Sequence, residues 1–188
     1  HPSLPARNVK ELIALARARP GQLNYASSGL GSSNQMAGEL FKLMAGVNIV
    51  HVPYKGNAPA LTDTIGGQVE MIFSGVPSLL PHLQSGRLRA IAIGSLKRFP
   101  AIPNVPTIDE SGLKGYEATT WTGIVAPVGM PKPIVARLNA ELNKVVASRS
   151  FKEKVAAIGS EPAGGTPEQF ADFIRKEHAK WADVVRRS

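Results

Sequence analysis

Short β-rich segments alternate with helical segments through the first half of the chain, and this alternation most limits the possible folds. The pattern predicts β-α-β-α-β-α-β at short spacing. Such connections place strands side by side in a parallel sheet that helices cover, so the sequence predicts an α/β fold. The predicted strands are Leu23–Ala26, Asn48–Tyr54, Gln68–Phe73 and Leu88–Gly94.

The stretch from Asn24 to Gly46 is the most informative of these units. A strand passes through a Ser/Gly turn at 27–33 into a helix, and Ser32 with Gln35 forms an S-x-x-Q capping box. The first N–H groups of such a helix lack intrahelical partners and lie at the positive end of the helix dipole. They can bind a carboxylate or a phosphate. The same pattern also fits a well-capped helix whose turn only changes the chain direction.

Helical spacing and capping residues predict the other helices of this half. Asn8 and Glu11 form a capping box at the first helix, Asn57 can cap a helix that runs to Ile65, and another helix covers Pro77–Gln84. The apolar stripe of the central helix is predicted at Met36, Leu40, Leu43 and Met44.

The second half changes character, because three prolines predict an irregular crossing. We expect a short helix near Thr107–Ser111 and a long strand at Tyr116–Ala126. Three amphipathic helices follow, beginning at Pro133, at the Ser150 capping box and at Thr166. The first of them is expected to face inward with Ile134, Leu138, Leu142 and Val145. Because at most one local strand is available to these helices, they must pack on one another or part of a second sheet is missing.

Composition excludes several classes of protein. The net charge is +8, from 22 basic and 14 acidic residues, but the basic residues are scattered over predicted helix surfaces. Aromatic residues make up 6% of the chain and do not interleave with a basic strip, so a solvated surface is favoured over nucleic-acid binding. The chain has no cysteine, which excludes disulfides and thiolate chemistry, and no apolar run long enough to span a membrane.

In a parallel sheet the predicted strand ends meet at one edge, where open α/β sheets bind ligands. Those ends are 27–33, 54–56 and 74–75, and all are small or polar. Lys55 could hold a carboxylate or remain solvated. Tyr54 could donate its hydroxyl to a ligand or be the amphipathic end of a strand.

No motif for catalysis, nucleotide or metal binding accompanies these loops. The pattern Gly29-x-Gly31-x-x-Asn34 lacks the third glycine of a dinucleotide fingerprint, and no G-x-S-x-G elbow surrounds the serines. Asp63 and Glu70 do not form a carboxylate pair. The histidines at 1, 51, 82 and 178 show no metal spacing. Trp121 on the long predicted strand is more typical of a core residue than of a ligand wall.

Four segments resemble the substrate-binding proteins of tripartite tricarboxylate transporters, the Bug or TctC-like family, and the resemblance runs the whole length of the chain. The segments are PGQLNYASSGLGSSNQMAGELFKLMAG, VHVPYKGNAPALTDTIGGQVEMIF, GRLRAIAIGSLKRFPAIPNVPTIDESGLKGYEATTWTGIVAPVGMP and GTPEQFADFIRKE. The resemblance implies a type II-like periplasmic binding protein fold, in which two lobes with Rossmann-like sheets flanked by helices close around a small carboxylated solute.

The resemblance also implies a division of the chain. Residues 1–118 are similar to the second lobe, and residues 119–188 to a crossover strand and the C-terminal helices of the first lobe. The N-terminal part of that first lobe and a signal peptide are expected to be absent from this chain. Hinge strands are expected near residues 1–5 and 119–126.

Carried over by motif, the implied ligand contacts are Ser27, Gly29, Ser32, Ser33, Asn34, Tyr54, Lys55, Gly56 and Ser74. Many relatives have an acidic residue at the position of Ser74. A serine cannot offer the charge that would meet an amine, which disfavours an amino acid as the ligand.

The expected function is that of a periplasmic receptor without enzyme activity, cofactor or metal. It would capture a dicarboxylate, a tricarboxylate or a related organic acid and present it to the membrane permease of the transporter. Three alternatives remain: a truncated fragment that acts as a folded interaction module, forming a homo-oligomer through its uncovered helices, an enzyme on the same scaffold, and a nucleic-acid or regulatory module.

Overall fold

The structure is a computed structural model that describes residues 1–158 and 160–188. It forms two compact units, one of His1–Thr120 with Asp183–Ser188 and one of Trp121–Ala182. In chain order the described elements are α1 (Val9–Ala18), β1 (Asn24–Ser27), α2 (Ser33–Ala45), β2 (Val50–Pro53), α3 (Asn57–Ile65), β3 (Met71–Ile72), α4 (Val76–Gln84), α5 (Lys132–Ala147), α6 (Arg149–Ala157) and α7 (Pro167–Arg187). None of the helices in these ranges is long and apolar enough to cross a bilayer.

The three strands form a parallel sheet in the order β2-β1-β3, which confirms the predicted α/β fold. Tyr25 of the central strand pairs with His51 on one side and with Met71 on the other. Because all three strands run in the same direction, their carboxyl ends lie at one edge of the sheet.

Helix α2 approaches the sheet through a glycine. A Cβ atom on Gly38 would lie 2.3 Å from Cε2 of Tyr25, whose ring is fully buried. This contact decides which face of α2 is buried. The predicted stripe is correct only in part, because Leu40 packs against the core whereas Met44 is 36% exposed. The buried residues of α2 are instead Gly38, Glu39, Phe41 and Ala45. The smallest residue lies where the helix comes closest to the strand, so the buried face follows Gly38 rather than the largest apolar side chains.

Helix α1 contributes to the same core and forms as predicted. Asn8 Oδ1 accepts the Glu11 N–H at 2.9 Å, and Val9, Leu12 and Ala16 are buried. Phe41 and Tyr116 meet edge to face in this core, with ring centroids 6.4 Å apart. Both rings belong to one buried apolar cluster, which also includes Tyr25 of β1 and Val9 of α1.

Two predicted strands do not form among the described residues, and a third is shorter than expected. In the segment Leu88–Gly94, only Ile93 makes a β-bridge, to Thr107, because its backbone bonds to residues 106 and 108 rather than to a strand of the sheet. The segment Tyr116–Ala126 has no strand partner among the described residues, so its β-rich composition does not produce a strand. The strand predicted at Gln68–Phe73 is reduced to β3.

Capping predictions are confirmed at α2 and α7. Ser32 Oγ accepts the Gln35 N–H at 3.3 Å, and Gly46 ends α2 with φ of 61°. At α7 the Thr166 N–H donates to Gln169 Oε1 at 2.9 Å.

Two predicted helix starts and one predicted short helix are wrong. Gly56, not Asn57, is the cap of α3, because Asn57 already has helical geometry and its side chain accepts the Ser74 hydroxyl. Helix α6 begins at Arg149, since Ser148 rather than Ser150 accepts the Phe151 N–H. The segment predicted as a short helix at residues 107–111 is a turn.

The second unit contains α5, α6 and most of α7. The Trp121 ring packs edge to face on Phe170 and Phe173, with centroids 5.7 and 5.2 Å apart, yet Trp121 is 42% exposed. The inward face predicted for α5 is exposed in this chain: Ile134, Leu138, Leu142 and Val145 are at least 36% accessible. This face of α5 therefore lacks an apolar partner among the described residues.

Gly38→Ala tests the close approach of α2 to β1. A helix interior normally gains about 1 kcal/mol from this change, but here the new Cβ would collide with the buried Tyr25 ring. We expect a loss of about 1–3 kcal/mol in the free energy of unfolding, measured by urea denaturation. Gly75→Ala is the control, because its Cβ would meet Pro77 at an ordinary 3.6 Å. A stabilised Gly38→Ala variant would contradict this packing.

Candidate functional site

The loops after β1, β2 and β3 are joined to one another by hydrogen bonds. The Tyr54 N–H donates to Ser27 O at 3.0 Å, and the Gly56 N–H donates to Ser28 O at 3.1 Å. The Asn34 side-chain amide donates to Phe73 O. The three strand ends therefore meet at one edge of the sheet, as the sequence predicts.

Gly29 makes the turn in the first loop possible. Its φ of 131° is a conformation that side chains rarely adopt, and an added Cβ would lie 3.3 Å from Tyr54 O of the neighbouring loop. Gly29 O accepts both the Ser32 hydroxyl at 2.7 Å and the Ser32 N–H at 3.3 Å. This turn fixes the start of α2.

The first turn of α2 offers backbone donors to a ligand. Ser32 already uses the Gln35 N–H, but the N–H groups of Ser33 and Asn34 find no acceptor in the part of the chain that the structure describes. Asn34 uses its side chain elsewhere, because Oδ1 accepts the Ser28 hydroxyl at 2.8 Å. Two backbone donors at the positive end of the helix dipole suit an anion.

Lys55 and Tyr54 border this position from the second loop. Lys55 is exposed and makes no ion pair within residues 1–158 and 160–188. The Tyr54 hydroxyl donates to Asp63 Oδ2 at 2.9 Å, so its proton is already used within the protein. Burial, together with this bond to Asp63, raises the pKa of Tyr54. Lys55 thus offers a positive charge at this edge, and Tyr54 offers its ring and a lone pair.

Ser74 supplies a neutral polar group in the third loop. Its hydroxyl donates to Asn57 Oδ1 at 3.1 Å and lies 3.2 Å from the Ser78 hydroxyl. The position is half-buried and carries no charge. In the described residues, no group of three or more histidine, aspartate or glutamate side chains is placed to hold a metal ion.

Ser27 lies beneath the turn, where a solute has no access, because the residue is fully buried. Its Oγ accepts the Gly29 N–H at 3.1 Å and lies 2.5 Å from His51 Nε2. Sequence reasoning placed His51 on a strand and gave it no role. The register of β1 and β2 is the signal that could have predicted a role for His51. It places His51 beside Tyr25, and Tyr25 precedes Ser27 by two residues in β1.

Solved structures share the α/β architecture of this chain. The structure titled "R. palustris Rpa4515 with adipate" is 41% identical, with a TM-score of 0.88 over 98% of this chain and 62% of that chain. "MatC (Rpa3494) from Rhodopseudomonas palustris with bound malate" is 31% identical, with a TM-score of 0.79 over 96% of this chain and 63% of that one.

The profile described as "Tripartite tricarboxylate transporter family receptor" matches residues 1–188, and the chain belongs to this family. Protein BugT of Bordetella pertussis is 39% identical over 188 residues, which are 100% of this chain and 58% of that protein. A UPF0065 protein from the tcbD-tcbE intergenic region of Pseudomonas sp. strain P51 is 41% identical, over 95% of this chain and 54% of its own length. The chain thus spans little more than half of these relatives. The family is one of receptors rather than enzymes, as the sequence predicts.

The pH dependence of stability tests the environment of His51. Burial lowers the pKa of His51, opposed by the nearby Glu39 and supported by Lys42. The unfolded chain therefore takes up a proton near the ordinary value of about 6.5, while the folded chain resists it. We expect the free energy of unfolding to fall as the pH drops below about 6.5, and the loss to be smaller in His51→Gln. Thermal unfolding of both proteins between pH 8 and pH 5 measures the difference, and equal slopes would contradict it.

Proposed function

We propose that this chain binds a small carboxylated solute at the sheet edge formed by the loops after β1, β2 and β3. The observation that carries the proposal is that the Ser33 and Asn34 N–H groups have no described acceptor, while the loop that leads to them is bonded to the Lys55 loop through Gly56 N–H and Ser28 O. Backbone donors at a helix N-terminus and a nearby cation are complementary to a carboxylate. Similar proteins with adipate and with malate support this ligand class.

The predicted site residues take different roles in this proposal. Ser33 and Asn34 offer backbone N–H groups, and Lys55 offers charge. Gly29 and Gly56 permit the turns, and Ser32 caps α2. Ser27 supports the turn from below, while Tyr54 and Ser74 border the solute.

Ser74 narrows the class of solute. A solute with an ammonium group needs a negative partner, and this region presents the hydroxyl groups of Ser74 in the third loop and Ser78 in α4 instead. We therefore propose a dicarboxylate, a tricarboxylate or a related organic acid rather than an acidic amino acid.

The domain assignment belongs to the same proposal. We assign residues 1–118 to the second lobe of a periplasmic receptor and residues 119–188 to the crossover and C-terminal helices of the first lobe. In the whole protein the solute would be presented in the periplasm to the membrane permease of a tripartite tricarboxylate transporter. Membership of the receptor family over residues 1–188 supports this role.

A second candidate is an interaction module that forms a homo-oligomer. The observation that favours it is the row of exposed apolar residues on α5, where Leu138 is 49% and Val145 is 52% accessible. Light scattering separates the candidates when it is combined with ligand binding. A dimer that binds no carboxylate supports the module, and a chain that binds carboxylate supports the receptor.

Ser33→Pro removes one proposed donor without breaking the helix. Ser33 is the first helical residue, where proline is tolerated, and Ser32 has the extended backbone that a residue before proline requires, with φ of −73° and ψ of 155°. We expect malate and adipate to bind roughly tenfold more weakly, or worse, because a hydrogen bond to a charged group is lost. Calorimetric titration or a thermal-shift series measures the change.

Ser33→Ala is the matched control, because it keeps the backbone N–H and loses only a hydroxyl whose described contact is with Thr120 at 3.5 Å. Its affinity should remain close to that of the unmodified chain. Equal affinity in all three proteins would rule out the α2 N-terminus as the site. With malate or adipate at about 100 times its dissociation constant, the free energy of unfolding of the unmodified chain should rise by roughly 2.7 kcal/mol. A lack of any response would therefore refute carboxylate binding by this chain.

A further inference from the structure

A continuous set of contacts links the body of α2 to the Gly29 turn. Lys42 Nζ pairs with Glu39 Oε2 at 2.7 Å, and the other carboxylate oxygen accepts the Tyr25 hydroxyl at 2.6 Å. Glu39 is 5% exposed, so its charge is both buried and fully paired. The Tyr25 ring then stacks on His51, with centroids 5.1 Å apart and planes inclined by 29°.

His51 connects this set to the turn through Ser27. His51 Nε2 lies 2.5 Å from Ser27 Oγ, and Ser27 Oγ lies 3.1 Å from both the N and the O of Gly29. If Nε2 is unprotonated, Ser27 donates to it and accepts the Gly29 N–H. If Nε2 carries the proton, Ser27 accepts from both groups and donates to Gly29 O. Both tautomers hold Ser27 and Gly29 together.

We propose that His51 is a positioning residue of the solute site, which sets the Ser27 hydroxyl and, through it, the Gly29 turn that precedes the α2 donors. This inference rests on the proposed function, because it assigns His51 a part in the same site. The imidazole is half-buried and Ser27 is fully buried, so we assign His51 a positioning role through the Ser27 hydroxyl.

We expect the Gly29 turn to depend on the hydrogen bond between His51 and Ser27, because Gly29 O accepts hydrogen bonds from several groups. It accepts the Ser32 hydroxyl at 2.7 Å and the Ser32 N–H at 3.3 Å, and these bonds hold the cap of α2. Without the His51 nitrogen, the Ser27 hydroxyl keeps only Gly29 as a described partner. The buried Ser27 hydroxyl then has no described acceptor other than Gly29 O, which it must share with the Ser32 donors.

The residues packed against His51 leave no unpaired charge facing its ring among the described contacts. The charged groups that face it are Glu39 and Lys42 of α2, which pair with each other, and the uncharged Tyr25 of β1 lies against its ring. A neutral imidazole between a buried tyrosine and a buried serine serves as a hydrogen-bonding group rather than as a charge for the solute.

Two variants separate the nitrogen from the ring. His51→Phe keeps an aromatic ring to stack on Tyr25 and removes Nε2. His51→Gln places an amide near the position of Nε2 and removes the ring. Hydrogen exchange of the Gly29 amide, followed by NMR, reports on the turn without any ligand. The Gly66 amide, which donates to Thr62 O at 2.9 Å, serves as a remote reference.

We expect the Gly29 amide to exchange at least about tenfold faster in His51→Phe, while Gly66 changes little, because the loss of one buried hydrogen bond corresponds to roughly that factor. His51→Gln should restore slow exchange. Malate and adipate should bind about tenfold more weakly to His51→Phe and normally to His51→Gln. In Ser27→Ala, adding His51→Phe should weaken binding little further, since both changes remove one interaction.

Unchanged Gly29 exchange in a folded His51→Phe protein would overturn the inference, and so would equal acceleration at Gly29 and Gly66. Failure of His51→Gln to restore Gly29 protection also counts against it. If the unmodified chain binds neither malate nor adipate, the proposed function fails, and the exchange measurement still decides whether His51 positions the turn.

Discussion

The burial of Tyr25 is the interaction on which the rest of the first unit depends. Its ring occupies the space that a side chain at Gly38 would need, and its hydroxyl donates a hydrogen bond to the buried carboxylate of Glu39. This contact sets how close α2 comes to β1 and which face of α2 is buried. Because β1 is the central strand, the same residue also fixes the neighbours on both sides, His51 and Met71. The start of α2 is therefore held at a defined place above the end of β1.

The candidate site follows from that placement. Once β1, β2 and β3 are parallel, the three loops after them must share one edge, and their hydrogen bonds hold them together there. Most polar side chains of these loops are used within the protein: Asn34 joins the first loop to the third, and Tyr54 is bound to Asp63. What remains for a solute is the backbone at the start of α2 and the exposed Lys55. These groups are complementary to a compact anion, which is the basis of the proposed function.

The sequence predicts much of this because local chemistry decides it. The Ser32 cap, the Gly46 end of α2 and the alternation of the first three strands with helices each depend on residues close in the chain, and all are confirmed. The predictions that are wrong depend on distant partners. Met44 fits a helical stripe, but Tyr25 selects a different face; the segment Tyr116–Ala126 is rich in β-formers, but it has no strand to pair with among the described residues. His51 has no local motif, and only the register of the sheet brings it to Ser27.

The most direct test of the account is NMR mapping of backbone amides as malate or adipate is added to the chain. We expect the largest shifts at Ser33, Asn34 and Gly56, saturating with a single affinity. The contrary result is a set of shifts that leaves these amides unchanged and centres elsewhere, for example on the groove that Lys10, Arg17 and Leu113 line. The first outcome places the carboxylate at the joined ends of β1 and β2, and the second would remove the sheet edge from any role in binding.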